Sequence, residues 1–541
     1  MKKNLSLLLS LIVALPLGAR DRIYVSTDRS AYLSGDLVYC SLFCTDENGQ
    51  SEDFSATAYL ELISTDGTAA EAKIGLFSGR GAGSFRIPEG TPTGNYRLVA
   101  YTARSEAAEE GSRILSVFNT GSNARVKDGV TVVEPSAYKA PRLPEDTSKG
   151  ISLSFPGRLS HGRGATLLLD APKGADISLS IYHEDALSPA ETRSLDDFLH
   201  GQPVTPGRRS GEYEGEVILA SVEGLPEEMV HVDGEVTAFL SSAGSPTDVY
   251  IGRSDNNGHI RFFTDNIYGN RELVCEVVSM SGQQCHIALS SPFTHPEPGD
   301  VPPLVLSGAQ RSALVARKAA LQDPPLQDTL LRFMPRRKDL LLAGAPTVRY
   351  HLDDYNRFPT VREICVEFIS ELQFVRRDGR YRVRMMVNDG TSSRKYLQDN
   401  ILVLMDGVVL TDHGMLADFD AMRLEDIDMY RQGITLGGLS YNGEVNFITK
   451  KNYVTALHFP DNVRVIDFLG VSYPVSYPGG VPQGTDRRQL LYWHPALEIP
   501  AGTQQRIQVH TPTYSGTFRI VAEGLDDSGK PVSASYTFTV E

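Results

Sequence analysis

The chain has 541 residues, with 41% hydrophobic and 22% charged residues, 48 Gly and 31 Pro, and at ~150 residues per domain it predicts three or four separate cores. This composition is typical of a folded, turn-rich protein and excludes a disordered or membrane-embedded chain. The formal net charge of −15, with no block of Lys and Arg, disfavours nucleic acid as a partner.

Residues 1–19 have the layout of a secretory signal peptide. Two lysines precede an apolar run from Leu5 to Leu17, and Gly18-Ala19 stand before Arg20. The run is shorter than the ~20 residues of a membrane-spanning helix, although a retained anchor stays the alternative. We expect an exported protein that begins near Arg20 and has no integral membrane span after cleavage.

Five cysteines leave at least one thiol unpaired in an exported protein. Cys40 and Cys44 are four residues apart on one expected strand, about 13 Å, beyond the ~7 Å that a disulfide tolerates between Cα atoms. Cys275 and Cys285 flank a turn-like segment. A disulfide across a hairpin and two buried thiols are both open for that pair.

Residues 20–121 contain short runs of alternating hydrophobic and polar residues, broken by Gly, Asp, Asn and Pro. This period of two predicts a β-sandwich. The order of its landmarks resembles the macroglobulin-type N-terminal domain of bacterial envelope proteins. Those landmarks are Thr27-Asp28-Arg29, Tyr32, Gly35-Asp36 and the string GNYRLVAYT at 94–102.

The string SGTFRIVAEG at 515–524 repeats the order of TGNYRLVAYT at 93–102. The shared Gly, aromatic, Arg, aliphatic, Val, Ala sequence predicts a second sandwich of related design in residues 452–541. Two unrelated strands that each follow a Gly turn are the alternative.

Between these sandwiches, residues 122–150 are rich in Pro, Lys, Ser and Asp and predict a linker. Residues 151–300 return to strand-forming runs and predict one or more further sandwiches, with a short helix within 188–201. Asp255-Asn256-Asn257-Gly258 resembles the start of a calcium loop. Since the later acidic ligand is missing, an Asn-Gly hairpin turn is the better interpretation.

Residues 301–349 predict a helical connector, with a helix at 310–321. A clearer helix is predicted at 360–372, where Thr360 and Glu363 form a capping box. We expect it to pack on a small sheet, which gives residues 350–451 an α+β fold. Its expected strands are RYRVRMMV at 380–387, ILVLMDG at 401–407 and EVNFITK at 444–450.

This α+β segment resembles the plug of a TonB-dependent outer-membrane receptor. The matching strings are ILVLMDGVVL at 401–410, LEDIDMY at 424–430 and GLSYNGEVNFITKK at 438–451. Only residues 452–541 follow, too few for the roughly 22 strands of a receptor barrel, so the expectation is a plug-like module without the pore. Loops that a barrel would enclose become candidates for partner binding. The candidate partner-binding residues are Asp406, Gly407, Asp412, Tyr441 and Asn442.

The common catalytic signatures are absent from the sequence, including the Gly-x-Ser-x-Gly elbow, the His-Glu-x-x-His metal site and the phosphate-binding Gly-Lys loop. His183-Glu184-Asp185 is the densest polar cluster, and a solvated turn explains it better than a metal site. For Cys365 we expect a buried thiol, and for Trp493 a core position rather than ligand stacking. Covalent trapping is excluded because no cysteine stands in a Cys-x-Glu-Gln thioester sequence.

The fold class expected is mainly β: tandem macroglobulin- or Ig-like β-sandwich domains with one small α+β plug-like domain. Together the two resemblances imply a nonenzymatic protein of the periplasm or outer membrane, without cofactor or metal, that docks to an outer-membrane or periplasmic protein. A glycan- or peptide-acting hydrolase and a noncovalent protease inhibitor are the alternatives. The expected divisions are 1–19, 20–121, 122–150, 151–300, 301–349, 350–451 and 452–541.

Overall fold

The computed structural model describes residues 21–541 with gaps, so the predicted signal peptide lies outside the described residues. The gaps are 47–48, 52–53, 106–110, 122–125, 140–144, 189–193, 202–210, 245–247, 322–330, 333–344, 389–394, 452–458, 478 and 481–483. The chain forms two compact units. The first comprises residues up to 213, 295–333 and 473–541, and the second comprises 214–294 and 334–472.

The first sandwich of unit 1 is built from the alternating runs near the N-terminus. One sheet contains β1, β3 and β6, the other contains β4, β7, β8 and β2, and the long β5 pairs with both β6 and β4. Its core is apolar, with Tyr32 and Tyr96 among the buried aromatic residues. The strands are β1 Arg22–Thr27, β2 Ala31–Leu33, β3 Leu37–Thr45, β4 Thr57–Ser64, β5 Gly67–Phe77, β6 Arg80–Arg86, β7 Gly94–Tyr101 and β8 Arg113–Phe118.

The second sandwich of unit 1 joins two distant parts of the sequence. Its larger sheet has the order β10-β39-β38-β14-β36 with β12 beside β39, and its smaller sheet has the order β11-β13-β37. The strands are β10 Thr147–Lys149, β11 Ser152–Ser154, β12 Arg158–Leu159, β13 Gly164–Asp170, β14 Ala175–Glu184, β36 Leu490–Ile499, β37 Gln504–His510, β38 Gly516–Asp526 and β39 Pro531–Val540. The echoing string at 515–524 thus lies in a central strand, as the related string does in β7.

This pairing differs from the expected separate sandwich at 452–541. The strand β14 is buried at six of its ten positions, and β38 and β36 cover its two edges. Because an edge strand leaves half its backbone hydrogen bonds unmade, β14 acquires its partners from residues more than three hundred positions away.

Shorter elements complete unit 1. Helix α1, Leu195–Leu199, begins at a Ser194 capping box and confirms the helix predicted in this stretch. Helix α3 also confirms its prediction. The remaining elements are β9 Thr131–Val133 paired with β21 Val305–Ser307, a 3₁₀ turn at Gly308–Gln310, α3 Arg311–Ala320, and β22 Leu331–Arg332 paired with β35 Val475–Ser476.

Unit 2 contains a third sandwich with sheet orders β17-β16-β19-β33 and β18-β15-β20. Its elements are β15 Val217–Glu223, α2 Glu227–Val230, β16 Val236–Ser242, β17 Asp248–Arg253, β18 His259–Phe263, β19 Arg271–Ser279, β20 His286–Leu289 and β33 Val463–Phe468, and the short β34 Val471–Ser472 follows β33 outside these two sheets. The turn predicted at Asp255–Gly258 is present, and the Asp255 carboxylate accepts hydrogen bonds from the Asn257 and His259 amides. The hairpin prediction is wrong, because β17 and β18 enter different sheets.

The rest of unit 2 is an α+β module at residues 345–451, hereafter the inserted module. Its main sheet has the order β23-β29-β32-β27-β28, and a second sheet has the order β24-β25-β26. The elements are β23 Val348–His351, α4 Val361–Glu367, β24 Leu372–Arg377, β25 Arg380–Asn388, β26 Lys395–Gln398, β27 Leu402–Met405, β28 Val408–Val409, α5 His413–Ala417, β29 Leu424–Tyr430, β30 Ile434–Leu436, β31 Leu439–Tyr441 and β32 Glu444–Thr449, with 3₁₀ turns at Leu352–Asp354 and Ala421–Arg423.

Two predictions for this module are corrected. The run at 380–387 was expected in the same sheet as 401–407 and 444–450, but β25 belongs to the separate three-stranded sheet. Helix α4 has the Thr360–Glu363 capping box but ends at Glu367, because Phe368 leaves helical geometry and Leu372 already starts β24. Residues 368–372 therefore lie outside the helix, although the helical periodicity had included them, and Leu372 pairs within the hairpin instead.

The mainly β prediction with tandem sandwiches is confirmed. All five cysteines are buried, and Cys275 and Cys285 are free thiols, so no disulfide joins this pair. No helix among the described residues is long and apolar enough to span a membrane.

Candidate functional site

The Asp406-Gly407 turn of the inserted module is a buried structural element. Asp406 is 4% exposed, and its carboxylate accepts hydrogen bonds from Thr449 N at 2.7 Å and Thr449 Oγ1 at 2.6 Å. Gly407 N donates to Asn446 Oδ1 at 3.1 Å. Both residues have positive φ, which the Asp-Gly pair tolerates. The turn therefore fixes β27 to β32 and faces no solvent.

The other three predicted residues have different environments. Asp412 is exposed and caps α5, since its Oδ1 accepts from Gly414 N at 2.9 Å. Tyr441 is half-buried against an apolar cluster, and burial raises its pKa to about 12. Asn442 is exposed, and its amide donates to Asn400 O at 2.8 Å. Asp412 and Asn442 are thus the two residues of the set on the surface.

Next to Asn400, strands β24 and β25 form a tight hairpin. Asp378 and Gly379 are its two-residue turn, with φ of 49° and 79°. Positive φ at both turn residues matches the right-handed twist of the flanking strands, which is why Asp-Gly favours this connection. This hairpin is not among the sequence-based predictions above, although Asp-Gly between two alternating runs predicts such a hairpin.

One face of this hairpin carries a row of arginines, hereafter the arginine face. Cross-strand pairing places Arg377 opposite Arg380, Val375 opposite Arg382 and Gln373 opposite Arg384. Residues opposite each other share a face, and successive members along a strand are about 6.6–6.8 Å apart. The opposite face buries Val383 and Met385 in the module core. The arginines of the face are Arg377, Arg380, Arg382 and Arg384.

The arginine face borders an open depression of about 660 Å³. Its lining residues are Arg377, Arg380 and Arg382 of this face together with Asp378, Asp399 and Asn400, and Arg377 Nη1 lies 2.6 Å from Asp399 Oδ2. Arg380 and Arg382 are exposed. Since arginine keeps its charge at any physiological pH, the depression presents excess positive charge on a chain of net charge −15.

The hairpin is held in place by His413 on α5. His413 is 6% exposed, and its Nδ1 accepts a hydrogen bond from Val383 N at 2.9 Å. Burial, and after it the positive charge of Arg382, lower the pKa of His413 to about 4, while Asp412 opposes the shift. A neutral imidazole is therefore the acceptor that fixes β25 under the arginine face.

The remaining sequence candidates have structural contacts. His183 packs against Tyr514 and Phe518, burial lowers its pKa, and Asp185 binds Arg317 through both carboxylate oxygens. This cluster is half-buried and packed, rather than a solvated turn as expected. Trp493 is 0% exposed, as the core interpretation predicted. Burial raises the pKa of the Cys365 thiol to about 12, so its reactive thiolate form is disfavoured.

Among known proteins, only solved structures are similar to this chain. No protein-family model and no curated protein matches it. The structure of Salmonella alpha-2-macroglobulin reacted with methylamine is similar with a TM-score of 0.25 and 9% identity, over 97% of this chain and 40% of that one.

Two Escherichia coli structures match to a similar extent. Alpha-2-macroglobulin activated by porcine elastase gives a TM-score of 0.25 and 8% identity over 96% of this chain and 44% of that one. The trypsin-activated form gives a TM-score of 0.24 and 9% identity over 97% of this chain and 41% of that one. The chain thus spans less than half the length of these proteins. Similarity at this level does not assign the chain to their family.

Proposed function

We propose that the protein is a nonenzymatic binding protein of the bacterial cell envelope that docks to a protein partner through its inserted module. The proposal rests on the plug-like sequence of this module and on one structural observation, the arginine face. The partner is an outer-membrane or periplasmic protein, and the signal-peptide layout of residues 1–19 supports export.

The chemistry of the arginine face selects the partner segment. Guanidinium groups form two-pronged hydrogen bonds with carboxylates. Because the arginines recur at every second strand position, an extended segment with an acidic residue at every second position presents its carboxylates at the same spacing. The proposed ligand is therefore an acidic, extended segment of the partner.

The titratable groups support binding rather than catalysis. Burial raises the pKa of the thiols of Cys40, Cys275, Cys285 and Cys365. His183 and His413 are occupied by packing or by a backbone hydrogen bond. Among the described residues, the charged groups that line the depression have one ion pair with each other, Arg377 with Asp399.

The test replaces two exposed arginines in the full chain, Arg380→Glu and Arg382→Glu together. We expect the unmodified protein to bind a synthetic peptide with Glu at every second position and to lose affinity as ionic strength rises from about 0.05 to 0.5 M. The double variant should bind at least about tenfold more weakly, because two favourable charge pairs become repulsive. Fluorescence anisotropy of the labelled peptide measures both effects.

The matched control is Arg261→Glu with Arg464→Glu, two exposed arginines on the third sandwich. It removes the same charge from the same unit and should leave peptide binding within about twofold. Affinity purification from envelope membranes with the same three proteins then identifies the natural partner. Equal weakening in the control would show nonspecific charge attraction and contradict the proposal. Deleting residues 350–451 is a poorer test, since Leu402 and Leu404 pack against Phe239 and Ile251 of the third sandwich.

A further inference from the structure

Two glutamates of the first sandwich lie directly opposite each other. Glu61 on β4 is the register partner of Glu71 on β5. Glu61 is 0% exposed, and about one third of the Glu71 side chain, 32%, reaches solvent. Like charges at opposite positions of antiparallel strands repel, and burial increases that cost. Such a pair needs a compensating cation nearby.

His295 approaches both carboxylates from the Pro-rich segment that follows β20 in sequence. Its Nδ1 lies 3.1 Å from Glu61 Oε2 and 3.6 Å from Glu71 Oε1. The segment is anchored on the same sandwich, since Arg97 donates to Pro298 O at 2.6 Å and to Asp300 O at 2.5 Å. His295 is therefore held at the carboxylates by contacts beyond its own ring.

The three atoms have the spacing of a metal-ligand set. All lie within 4.8 Å of one another. A tetrahedral zinc ion with bonds of ~2.0–2.1 Å separates its ligand atoms by about 3.3 Å, and the two imidazole–carboxylate distances fall on either side of this value. Thr68 Oγ1 lies 3.0 Å from Glu61 Oε2 and 3.2 Å from His295 Nδ1, where it can hydrogen-bond a water at the fourth position.

A second layer of contacts orients Glu61. Its Oε1 accepts hydrogen bonds from Tyr101 Oη at 2.5 Å and from His295 N at 3.1 Å. Partners of this kind fix a ligating carboxylate in metal sites. The exposed part of His295, 56% of its side chain, provides a path for the ion from solvent.

We propose that Glu61, Glu71 and His295 bind a divalent transition-metal ion of the zinc type, with water as the fourth ligand. One imidazole and two carboxylates favour Zn²⁺ over Ca²⁺ and Mg²⁺, which need six or more oxygen ligands. When the ion is bound, its charge offsets the two glutamates, and the direct contact of His295 with their carboxylates is replaced by bonds to the ion. Lys73, buried two positions after Glu71 on β5, adds positive charge and weakens binding of all cations alike.

Isothermal titration with zinc tests the proposal on the full chain, purified with a tag that contains no histidine. We expect one zinc per chain, a higher unfolding temperature in zinc, and no saturable binding of Ca²⁺. His295→Gln and Glu71→Gln should each weaken zinc binding by more than about 100-fold, beyond the range typical of residues that only support a ligand.

The matched control is His286→Gln. His286 Nε2 lies 3.0 Å from Glu223 Oε2, a histidine–glutamate contact that does not belong to a three-residue group among the described residues. This variant should bind zinc as the unmodified protein does. The absence of saturable zinc binding, or its retention by His295→Gln or Glu71→Gln, overturns the proposal. If either variant fails to fold without metal, the visible spectrum of Co²⁺ in the unmodified protein decides, since four-coordinate Co²⁺ absorbs far more strongly than six-coordinate Co²⁺.

Discussion

The imidazole of His413 shows how one residue sets the pH range in which the inserted module is stable. In the folded chain it is neutral, buried and accepts a hydrogen bond from Val383 N. Its folded pKa of about 4 lies below the usual histidine value near 6.5, so between these values the unfolded chain binds the proton more tightly. The contribution to stability is complete above about pH 6.5 and is lost as the pH falls toward 4.

We predict that unfolding of unit 2 becomes easier by roughly 3 kcal/mol between pH 7 and pH 4 through His413 alone, given about 1.4 kcal/mol per pKa unit. In His413→Asn, an amide oxygen can still accept from Val383 N but does not titrate, so this part of the pH dependence should vanish. Amide hydrogen exchange of β25 at both pH values measures it. If the stability of unit 2 depended equally on pH in the unmodified protein and in His413→Asn, His413 would not be the group responsible.

At the scale of elements, the Asp378-Gly379 turn determines how the arginine face is presented. Gly379 has φ of 79° and open space around its Cα, so a Cβ there meets no atom within 4 Å. The cost of any other residue is conformational, about 1–2 kcal/mol for a side chain in the left-handed region. Asn tolerates this region better than Ala.

We predict that Gly379→Ala lowers hairpin stability by about 1 kcal/mol, whereas Gly379→Asn costs less. Hydrogen exchange of the amides in 372–388 is the measurement. Gly90→Ala is the control, because Gly90 also has open space around it but lacks a positive φ. If Gly90→Ala lowered stability as much as Gly379→Ala, the cost at Gly379 could not be attributed to its positive φ.

The candidate site could be predicted only in part, for reasons visible at this same scale. The plug-like strings lie within residues 350–451, and the structure gives that segment its own sheets and helices. Asp406 and Gly407 were chosen because Asp-Gly is a turn dipeptide, but turn chemistry is the same in a buried and an exposed turn. The arginine face was missed because the run at 380–387 was assigned to the wrong sheet.

Across the whole molecule, buried ionic contacts join the two sandwiches of unit 1. Glu523 of β38 accepts hydrogen bonds from Tyr24 and Ser26, and its Oε1 lies 2.5 Å from Arg113 Nη2. Trp493 of β36 packs on Tyr39 of β3 with ring centroids 5.2 Å apart. These contacts couple residues near the N-terminus to residues near position 500 within one unit.

We predict that Glu523→Ala destabilises unit 1 by about 3–5 kcal/mol, because it leaves the buried Arg113 charge uncompensated. Trp493, the only tryptophan of the chain, reports this directly, since its emission should shift to the red when the core around it opens. Urea unfolding followed by this emission gives the change. Glu498→Ala, at an exposed position of β36, should change the midpoint little. A similar shift of the urea midpoint in Glu523→Ala and Glu498→Ala would argue against a stabilising role for the buried ion pair.

The properties of this protein that depend on local pattern follow from the order of its residues alone. Alternation with a period of two specified the mainly β fold, and Ser or Thr followed by Asp or Glu three positions later began α1 and α4. The turns at single glycines and at Asp-Gly pairs likewise follow from the residue types at those positions.

Which strands share a sheet depends instead on contacts between residues that are far apart in the sequence. Strand pairing depends on long-range hydrogen bonds between exposed edges, so β14 completes its sheet with β38 and β36, and β19 pairs with β33, across long stretches of sequence. The same reason explains the groups brought together in space: Glu61 with Glu71 and His295, and the arginines on one face of a hairpin. Their chemistry is written in the residue types, but their proximity arises only when the strands pair.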